Sequence, residues 1–476
     1  MKINQTINAT PNFQVLSEDQ IEQIYFAALD VLARTGCRIP STQALQLFEQ
    51  TDAVVSDTDL VRLPSAMVER SLRSHPRKFT LFGRTGQYPL RMQKDEVHFG
   101  TGIHLPSVAG CQTGDGRPWP EIFTQAVHLA DFHDHIDFLT CHGGNAERSG
   151  NKGNESKKFL VLLRGCTKPM LLSAQDGQEL REQWRMGGIL RGGEEELRLS
   201  PLFMHQITPQ SPLVFTPEGL EQLLFCAEKG IPCLCFSTPL AGVTAPLSIS
   251  GVLVQTLAEG LMGSVISFLQ KPGLPYVLGG NFSFGFRLNG TLSVGRPELS
   301  LTQAAFADIV KWLGLPVCST GGCSEATQLD QQAAMEMATS LFYGFLSGTN
   351  LVQPVGFLDG GRSISLDAIL LSDEMIGMIK QIGKGIDTED EYLALDVISE
   401  IGPGGEFISS DHTFRHYLEW YQTKYIDRTT YTTWCGLGSK TMLDNIQKKR
   451  MRILAEYSPE PLDPGIEYEM MRSAHM

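Results

Sequence analysis

The chain has little charge for its length, and its positive charge is not gathered into basic runs. Charged residues make up 19% of the 476 positions, with 39 lysines and arginines against 53 aspartates and glutamates, which gives a formal net charge of −14. Proteins that bind nucleic acids usually present a basic face to the phosphates. The composition therefore predicts no nucleic-acid partner, and an acidic surface of this kind favours cationic ligands.

Long apolar segments and a secretory signal are also missing. The longest uninterrupted apolar runs, such as Phe159–Leu163 and Leu223–Ala227, are far shorter than the roughly 20 residues that a membrane span needs. The first thirteen residues, MKINQTINATPNF, contain no apolar core of a signal peptide. The ten cysteines are scattered through mostly apolar segments, which is typical of reduced thiols. We expect a cytoplasmic protein with no membrane contact.

No complete set of metal ligands stands out. Four histidines cluster between residues 128 and 142, but their spacing matches neither a CxxC nor an HExxH arrangement. Cys233 and Cys235 would point to one face of a strand and form half of a metal site, yet a third ligand is not evident. Small thiols packed in a core explain the pair equally well. The sequence predicts that this chain binds no metal.

What the sequence does contain is a repeated pattern of apolar strand, small residue and amphipathic helix between residues 101 and 385. Eight strands are predicted, at Leu105–Ala109, Phe138–Cys141, Met170–Ala174, Leu202–Thr208, Cys233–Thr238, Tyr276–Phe282, Val317–Gly321 and Asn350–Phe357. Eight such strands, most of them followed by a helix, indicate an α/β fold of the TIM (β/α)8 barrel type. An open doubly wound sheet is the alternative, although no GxGxxG motif opens a helix.

Helical additions are predicted on both sides of the barrel. Residues 1–100 form a helical region with a small β segment at Phe79–Phe99, and Ser17 with Gln20 has the pattern of a capping box. Residues 386–476 are predicted to be helical and packed on the barrel, with an extended tail from Ser458. Additions of this kind are compatible with a homo-oligomer.

The ends of the predicted strands carry many aromatic residues and few nucleophile–base pairs, and in a TIM barrel the active site lies at these ends. Phe282, Phe284 and Phe286 follow strand six at a spacing of two, so an extended backbone would place them on one side. Phe357 ends strand eight. Aromatic faces bind quaternary ammonium ions through cation–π attraction. The same rings could instead fill the core, so both interpretations stay open.

Polar residues at the same strand ends are candidate ligands of a small molecule. The set comprises His142, Asn281, Gln353, Arg287 and Arg362. A guanidinium group can hold a carboxylate through two parallel hydrogen bonds, which makes the arginines candidates for an anionic end of the ligand. The residue type alone does not decide which arginine or amide takes that role.

Five short motifs occur in an order and at a spacing that resemble the trimethylamine:corrinoid methyltransferase family over nearly the whole chain. They are Gly100-Thr101-Gly102, Arg296-Pro297-Glu298-Leu299, Gly314-Leu315-Pro316, Asp330-Gln331-Gln332-Ala333 and Gly348-Thr349-Asn350. The resemblance implies a TIM-barrel enzyme that moves a methyl group from an amine to the Co(I) of a cobalamin-type cofactor. That cofactor would be carried by a separate corrinoid protein.

One departure from the family pattern bears on the substrate. Gly322 falls where enzymes acting on trimethylamine carry pyrrolysine, so the chain resembles the branch without pyrrolysine, which demethylates quaternary amines such as glycine betaine. A quaternary amine leaves as a neutral tertiary amine, here dimethylglycine, so no catalytic acid or base is expected. The protein's task is then positioning and desolvation.

Two other functions stay open. One is a non-catalytic betaine-binding or regulatory protein that kept the binding site. The other is a barrel enzyme of the uroporphyrinogen-decarboxylase type, for which the expected His-x-Cys zinc motif and N-terminal arginines are not found in the sequence.

Overall fold

The computed structural model describes residues 12–56, 59–93, 95–104, 107–108, 119–142, 155–284 and 293–473. At 103–104, 107–108, 119–120, 142 and 155 it describes the backbone alone.

Eight parallel strands form a closed barrel. They are β1 His98–His104, β2 Phe138–His142, β3 Met170–Leu172, β4 Phe203–Ile207, β5 Cys233–Ser237, β6 Tyr276–Gly280, β7 Val317–Thr320 and β8 Leu351–Val355. Each strand pairs in parallel with the next one along the chain, and β8 pairs with β1. The predicted TIM barrel is confirmed, and the open doubly wound sheet is excluded.

One major helix follows each strand. These are α1 Trp119–Phe132, α2 Glu155–Gly165, α3 Gly177–Arg191, α4 Pro217–Lys229, α5 Ile249–Gln270, α6 Pro297–Trp312, α7 Gln331–Leu346 and α8 Leu366–Gly383. Side-chain caps fix several of their first turns. For example, Asp176 accepts the backbone N–H of Glu179 at the start of α3, and Asp330 accepts that of Ala333 at the start of α7.

The lower half of the barrel is filled with apolar side chains. They come from the inward positions of seven strands, namely Phe138, Leu171, Met204, Leu234, Val277, Cys318 and Leu351. A hairpin of strands Phe79–Leu81 and Leu90–Met92, within the predicted small β segment, packs against this layer. Because these residues lie near the strand starts, they close the N-terminal end of the barrel and leave the C-terminal end for a site.

The first barrel strand lies earlier than predicted. The sequence placed it at Leu105–Ala109, whereas β1 is His98–His104 and begins inside the segment assigned to the N-terminal region. Gly100 and Gly102 interrupt the apolar pattern there, which lowers the apparent strand propensity. Both glycines are required by packing, since a Cβ at Gly100 would collide with the Phe138 ring and one at Gly102 with the Thr140 hydroxyl.

The remaining elements lie outside the eight strand–helix pairs. The N-terminal helices are Glu18–Arg34, Thr42–Gln46 and Ser65–Ser74, with strands Cys37–Arg38, Val54–Val55 and Leu60–Arg62. A short helix, Glu194–Leu199, and strands Ser107–Val108, Leu240–Ala241, Ser283–Phe284, Phe357–Leu358 and Ser363–Ile364 lie in barrel loops. The C-terminal helices are Asp390–Leu393, Leu395–Ile401, Asp411–His416, the 3-10 turn Tyr417–Glu419, Tyr431–Gly436, Met442–Glu456 and Pro464–Ser473. The capping box at Ser17 is confirmed, while the last helix corrects the predicted extended tail.

The helix α5 is long and apolar enough, by length and composition, to cross a membrane. However, 83% of its most apolar stretch is buried inside the protein. It packs against β5 and β6 on one side and against helices Glu18–Arg34 and Ser65–Ser74 on the other. Burial on several sides explains why its sequence is apolar around its whole circumference.

Candidate active site

A cavity of about 250 Å³ lies at the C-terminal end of the barrel strands. Four of its lining residues are the last inward-facing positions of their strands: Gln206 on β4, Phe236 on β5, Thr320 on β7 and Gln353 on β8. The rest of the wall comes from Pro354, also on β8, and from the segments that follow the strands, with Thr238, Asn281, Val294, Cys323, Gly360 and Gly361. The cavity therefore occupies the position where TIM barrels build their active sites.

Strand register explains which side chains reach the cavity. Successive side chains of a strand point to opposite faces, so positions two apart share a face. On β5, Leu234 lies in the packed lower layer and Phe236 comes one layer higher, with a relative exposure of 6%. On β6, counting in steps of two from the inward-facing Val277 leads to Asn281 just after the strand, so the Asn281 side chain points toward the cavity.

Buried oxygens without a partner face this region. Within the described part of the chain, Gln206 Oε1, Asn281 Oδ1 and Thr320 Oγ1 have no hydrogen-bond partner, and neither has Thr140 Oγ1 on β2. A buried polar atom that lacks a partner costs roughly 1–3 kcal/mol. Gln206, Asn281 and Thr320 line the cavity, and three unpartnered oxygens there are typical of a binding site whose ligand compensates the cost.

Two of the predicted polar ligands line the cavity. Asn281 donates its backbone N–H to the Ser237 carbonyl at 2.9 Å, and the Gln353 carbonyl accepts the N–H of Gly321 at 3.2 Å. His142 is the last residue of β2, and its side chain is outside the described residues, as is the whole of Arg287. Arg362 is exposed and follows the lining residue Gly361 directly.

The predicted aromatic cage is not assembled as the sequence suggested. Phe282 is buried and its ring packs edge-to-face on Phe306 of α6, with centroids 5.3 Å apart. Phe357 is fully buried in the core cluster between barrel and helices, and Phe284 is half-buried against the same cluster. Phe286 lies outside the described residues.

β6 ends at Gly280, two residues earlier than predicted, but the physical reason is the alternation of its side chains. Phe282 shares a face with Tyr276 and Leu278, which lie in the cluster between barrel and helices. Because Asn281 takes the inward position, its neighbour Phe282 faces the helices. The ring that does line the cavity is Phe236, which the sequence reasoning missed. Counting in steps of two along the apolar run of β5 would have found it.

Cys233 and Cys235 also face outward. Both thiols are buried in the cluster between barrel and helices, and burial raises the pKa of each well above its ordinary value. Within the described ranges, no three His, Cys, Asp or Glu side chains are grouped as metal ligands.

Gly322 lies in the loop after β7, with φ at +75°. Its N–H donates to Ser340 Oγ of α7 at 3.0 Å, and its carbonyl accepts the N–H of Gly356 at 3.0 Å. A Cβ at this position would lie 2.7–3.0 Å from atoms of Val355. The left-handed backbone and the contact with β8 thus both require glycine.

This crowding predicts a large loss of stability for Gly322→Ala. The left-handed backbone costs roughly 1–2 kcal/mol with a side chain, and overpacking against Val355 adds about 1–3 kcal/mol. Gly86→Ala is the matched control, because Gly86 has φ at +78° and open space around it. Denaturant unfolding should show that Gly86→Ala loses only the roughly 1–2 kcal/mol of unfolding free energy that comes from the left-handed backbone. Equal losses in the two variants would contradict the steric argument.

Two α7 residues hold the loop that carries Gly322 and Cys323. Glu336 accepts the Ser324 hydroxyl at 2.6 Å and the Glu325 backbone N–H at 2.8 Å, while Ser340 holds Gly322. Glu336 therefore fixes one wall of the cavity from behind without lining it.

Comparison with known proteins assigns the chain to one protein family. A family model described as trimethylamine methyltransferase (MTTB) matches residues 1–473. The chain belongs to this family. It is 30% identical over 468 residues to the trimethylamine methyltransferase MttB of Desulfitobacterium hafniense (strain DSM 10664 / DCB-2), covering 94% of this chain and 91% of the relative. The glycine betaine methyltransferase of D. hafniense (strain Y51) is 27% identical, with 97% and 96% covered.

Among solved structures, the monomethylamine methyltransferase of Methanosarcina barkeri has the same fold. Its TM-score is 0.52 at 13% identity, with 92% of this chain and 89% of that chain covered. The family assignment makes the protein a methyltransferase and confirms the resemblance found in the sequence.

For a methyltransferase of this family, the charge of the cavity wall matters. The residues described on the wall carry no charged side chain, and Cys323 is the one titratable group among them. Its Sγ donates to the Pro354 carbonyl at 2.9 Å, and burial raises the pKa of the thiol to about 12. At neutral pH this group is therefore a neutral thiol and neither a base nor a nucleophile.

Cys323→Ser should consequently keep most of the methyl-transfer activity. Serine retains the donor to the Pro354 carbonyl, so we expect kcat/KM to change by no more than about 3-fold, the effect of weakening one hydrogen bond. Because the raised pKa leaves almost no thiolate below pH 9, iodoacetamide should not inhibit at pH 7–8. A loss beyond 100-fold in the serine variant would assign the thiol a direct chemical role.

Proposed function

We propose that this methyltransferase takes a methyl group from a quaternary amine, with glycine betaine as the leading candidate, and passes it to the Co(I) of a corrinoid protein. The carbon–nitrogen bond breaks, its electron pair stays on nitrogen, and dimethylglycine leaves as a neutral tertiary amine. No proton has to be added or removed in this step. The protein's contribution is to hold the amine in line with the acceptor and to exclude water.

The observation that carries the proposal is that the described residues of the cavity wall at the barrel mouth are all uncharged at neutral pH. Phe236 offers a ring face to an N-methyl group, and the oxygens of Gln206, Asn281 and Thr320 place negative dipole ends around it. None of these groups is an acid that could activate a neutral amine. Gly322, at the position where the resemblance places pyrrolysine, adds no side chain.

The same wall favours a zwitterion over a simple cation. Burying a net charge in a site without a counter-ion is costly, whereas a betaine brings its own carboxylate. Thr238, Thr320 and the amides of Asn281 and Gln353 supply hydrogen-bond donors for that carboxylate. Arg362, beside the cavity rim, is the candidate for a charged contact.

The methyl acceptor reaches the site from the mouth. The cavity lies at the strand ends, which is the side from which a cofactor carried by another protein would approach the bound methyl group. We infer the corrinoid partner from the family resemblance and from this position.

The test is an absorbance assay for methylcobalamin, with cob(I)alamin as the free acceptor and the cognate corrinoid protein as the second one. Glycine betaine should give product, faster with the corrinoid protein, and choline should give much less. Tight binding of glycine betaine without methyl transfer to either acceptor would favour the non-catalytic betaine-binding protein. Equal rates with both acceptors would count against a dedicated corrinoid partner.

A further inference from the structure

A segment of the C-terminal region exposes an unusual amount of apolar surface. We call residues 386–420 the arm; it follows α8 and contains the helices Asp390–Leu393, Leu395–Ile401 and Asp411–His416. Eleven of its large apolar side chains are exposed by 44% to 82%, namely Ile386, Tyr392, Leu393, Leu395, Ile398, Phe407, Ile408, Phe414, Tyr417, Leu418 and Trp420. Monomeric proteins rarely expose more than a few hundred Å² of contiguous apolar surface.

The arm has no core of its own. None of the residues from 386 to 420 is buried. The parts of the arm do contact each other, because Glu391 pairs with Arg415 at 3.0 Å and the rings of Tyr392 and His416 lie 5.0 Å apart. These surface contacts are weak, so ordering the arm requires that a further surface cover its apolar side chains.

The arm lies at the end of the barrel opposite the mouth. In a β/α barrel each helix runs from the mouth end back to the opposite end, so the last turn of α8 lies far from the cavity. The arm leaves α8 at that turn. It also returns there, because the side chain of Gln381 in the last turn donates to the carbonyl of Glu419 at 3.1 Å. A protein that delivers a methyl acceptor to the cavity would dock at the other end of the barrel.

The available area fits a stable homodimer. The five aromatic side chains, at roughly 150–250 Å² each, expose on the order of 600 Å² on one arm, and the six leucine and isoleucine side chains add to this area. A standard interface buries about 800 Å² per partner, and permanent interfaces are the more apolar ones. A second copy of the chain is present whenever the first is, so it can keep this surface covered permanently.

We propose that the arm is the interface of a two-fold symmetric homodimer, in which the arms of two copies pack against each other. In such an interface the same surface faces itself. The arm carries nine carboxylates and one arginine, so two arms bring like charges together around the apolar contact. Salt screens this repulsion, and the dimer should therefore become tighter as the ionic strength rises.

The experiment is sedimentation velocity on the full chain over a concentration series at low and high salt. The unaltered protein should be a dimer at micromolar concentration. Ile408→Ser combined with Phe414→Ser should raise the dimer dissociation constant at least about 100-fold, since two of the three most exposed apolar side chains of the arm are lost. Both side chains are exposed in the single chain, so the variant should fold. Met335→Ser with Tyr468→Ser changes equally exposed residues outside the arm and is the matched control.

The melting temperature and methyl-transfer rate of each variant, measured at the same concentrations, report whether the barrel is intact. A monomeric unaltered protein, or an arm variant that remains dimeric, would overturn the proposal. Two further results would overturn it: a monomer that binds its corrinoid protein through the arm, or a dimer that dissociates as the salt concentration rises. Amine demethylation is not needed for this test, so its outcome is independent of the proposed function.

Discussion

Glycine betaine should be demethylated about 1,000-fold faster than trimethylamine at neutral pH, since a positioned general acid or base is typically worth 10²–10⁴-fold in rate. The wall residues described in the cavity offer no group of that kind. In neutral water trimethylamine is mostly protonated, but the described wall has no carboxylate that would keep the N–H proton on the amine inside the cavity. If the amine binds without that proton, methyl transfer would expel an amide anion, which is a very poor leaving group. Glycine betaine already carries the positive charge and releases a neutral amine.

The measurement is the initial rate of methylcobalamin formation with each amine at equal concentration and saturating acceptor. The pH profile provides the control. With glycine betaine the rate should stay flat between pH 6 and pH 9, because the pKa of Cys323 lies at about 12 and no other described wall residue titrates. Robust turnover of trimethylamine would mean that the site contains an activating group and would refute the charge argument.

The fold could be predicted from the sequence because its pattern is repetitive. Seven of the eight strands occur where apolar runs predict them, and β1 was misplaced because Gly100 and Gly102 break its run. Those glycines are required because Phe138 and Thr140 on the neighbouring strand leave no room for a Cβ atom. A contact between residues far apart in sequence leaves no local pattern, so the misplacement could not be corrected from the segment itself.

The site was less predictable than the fold. Asn281 and Gln353 line the cavity, since their position at strand ends follows from the barrel geometry alone; their role in ligand binding stays a prediction. Phe282 and Phe357 do not line the cavity. Phe282 shares the outward face of Tyr276 and Leu278 on β6. On β8 a register shift between Val352 and Val355 turns the residues that follow it to the other face. The support of the Gly322 loop by Glu336 depends on how α7 packs behind β7, which the sequence pattern does not encode.

Replacing Phe236 should cause the largest loss of activity among the described wall residues, because its ring is the one aromatic face among them. For Phe236→Ala we expect kcat/KM with glycine betaine to fall roughly 10- to 100-fold, from lost burial and lost cation–π attraction together. Phe236→Leu keeps apolar bulk and should lose only about 3- to 10-fold. Phe282→Leu is the matched control, since that ring packs on Phe306 outside the cavity; it should lower the melting temperature and leave kcat/KM nearly unchanged.

A cation–π contribution can be separated from simple packing with a carbon isostere. 3,3-Dimethylbutanoate has the shape of glycine betaine but carries a neutral tert-butyl group in place of the trimethylammonium group. If the Phe236 ring recognises the positive charge, the unaltered enzyme should bind glycine betaine more tightly than the isostere, and Phe236→Leu should reduce that preference about 3- to 10-fold. Loss of packing alone would weaken both ligands equally and leave the preference unchanged. Calorimetric titration of both ligands against both proteins therefore decides whether Phe236 is a cage residue or part of the barrel core.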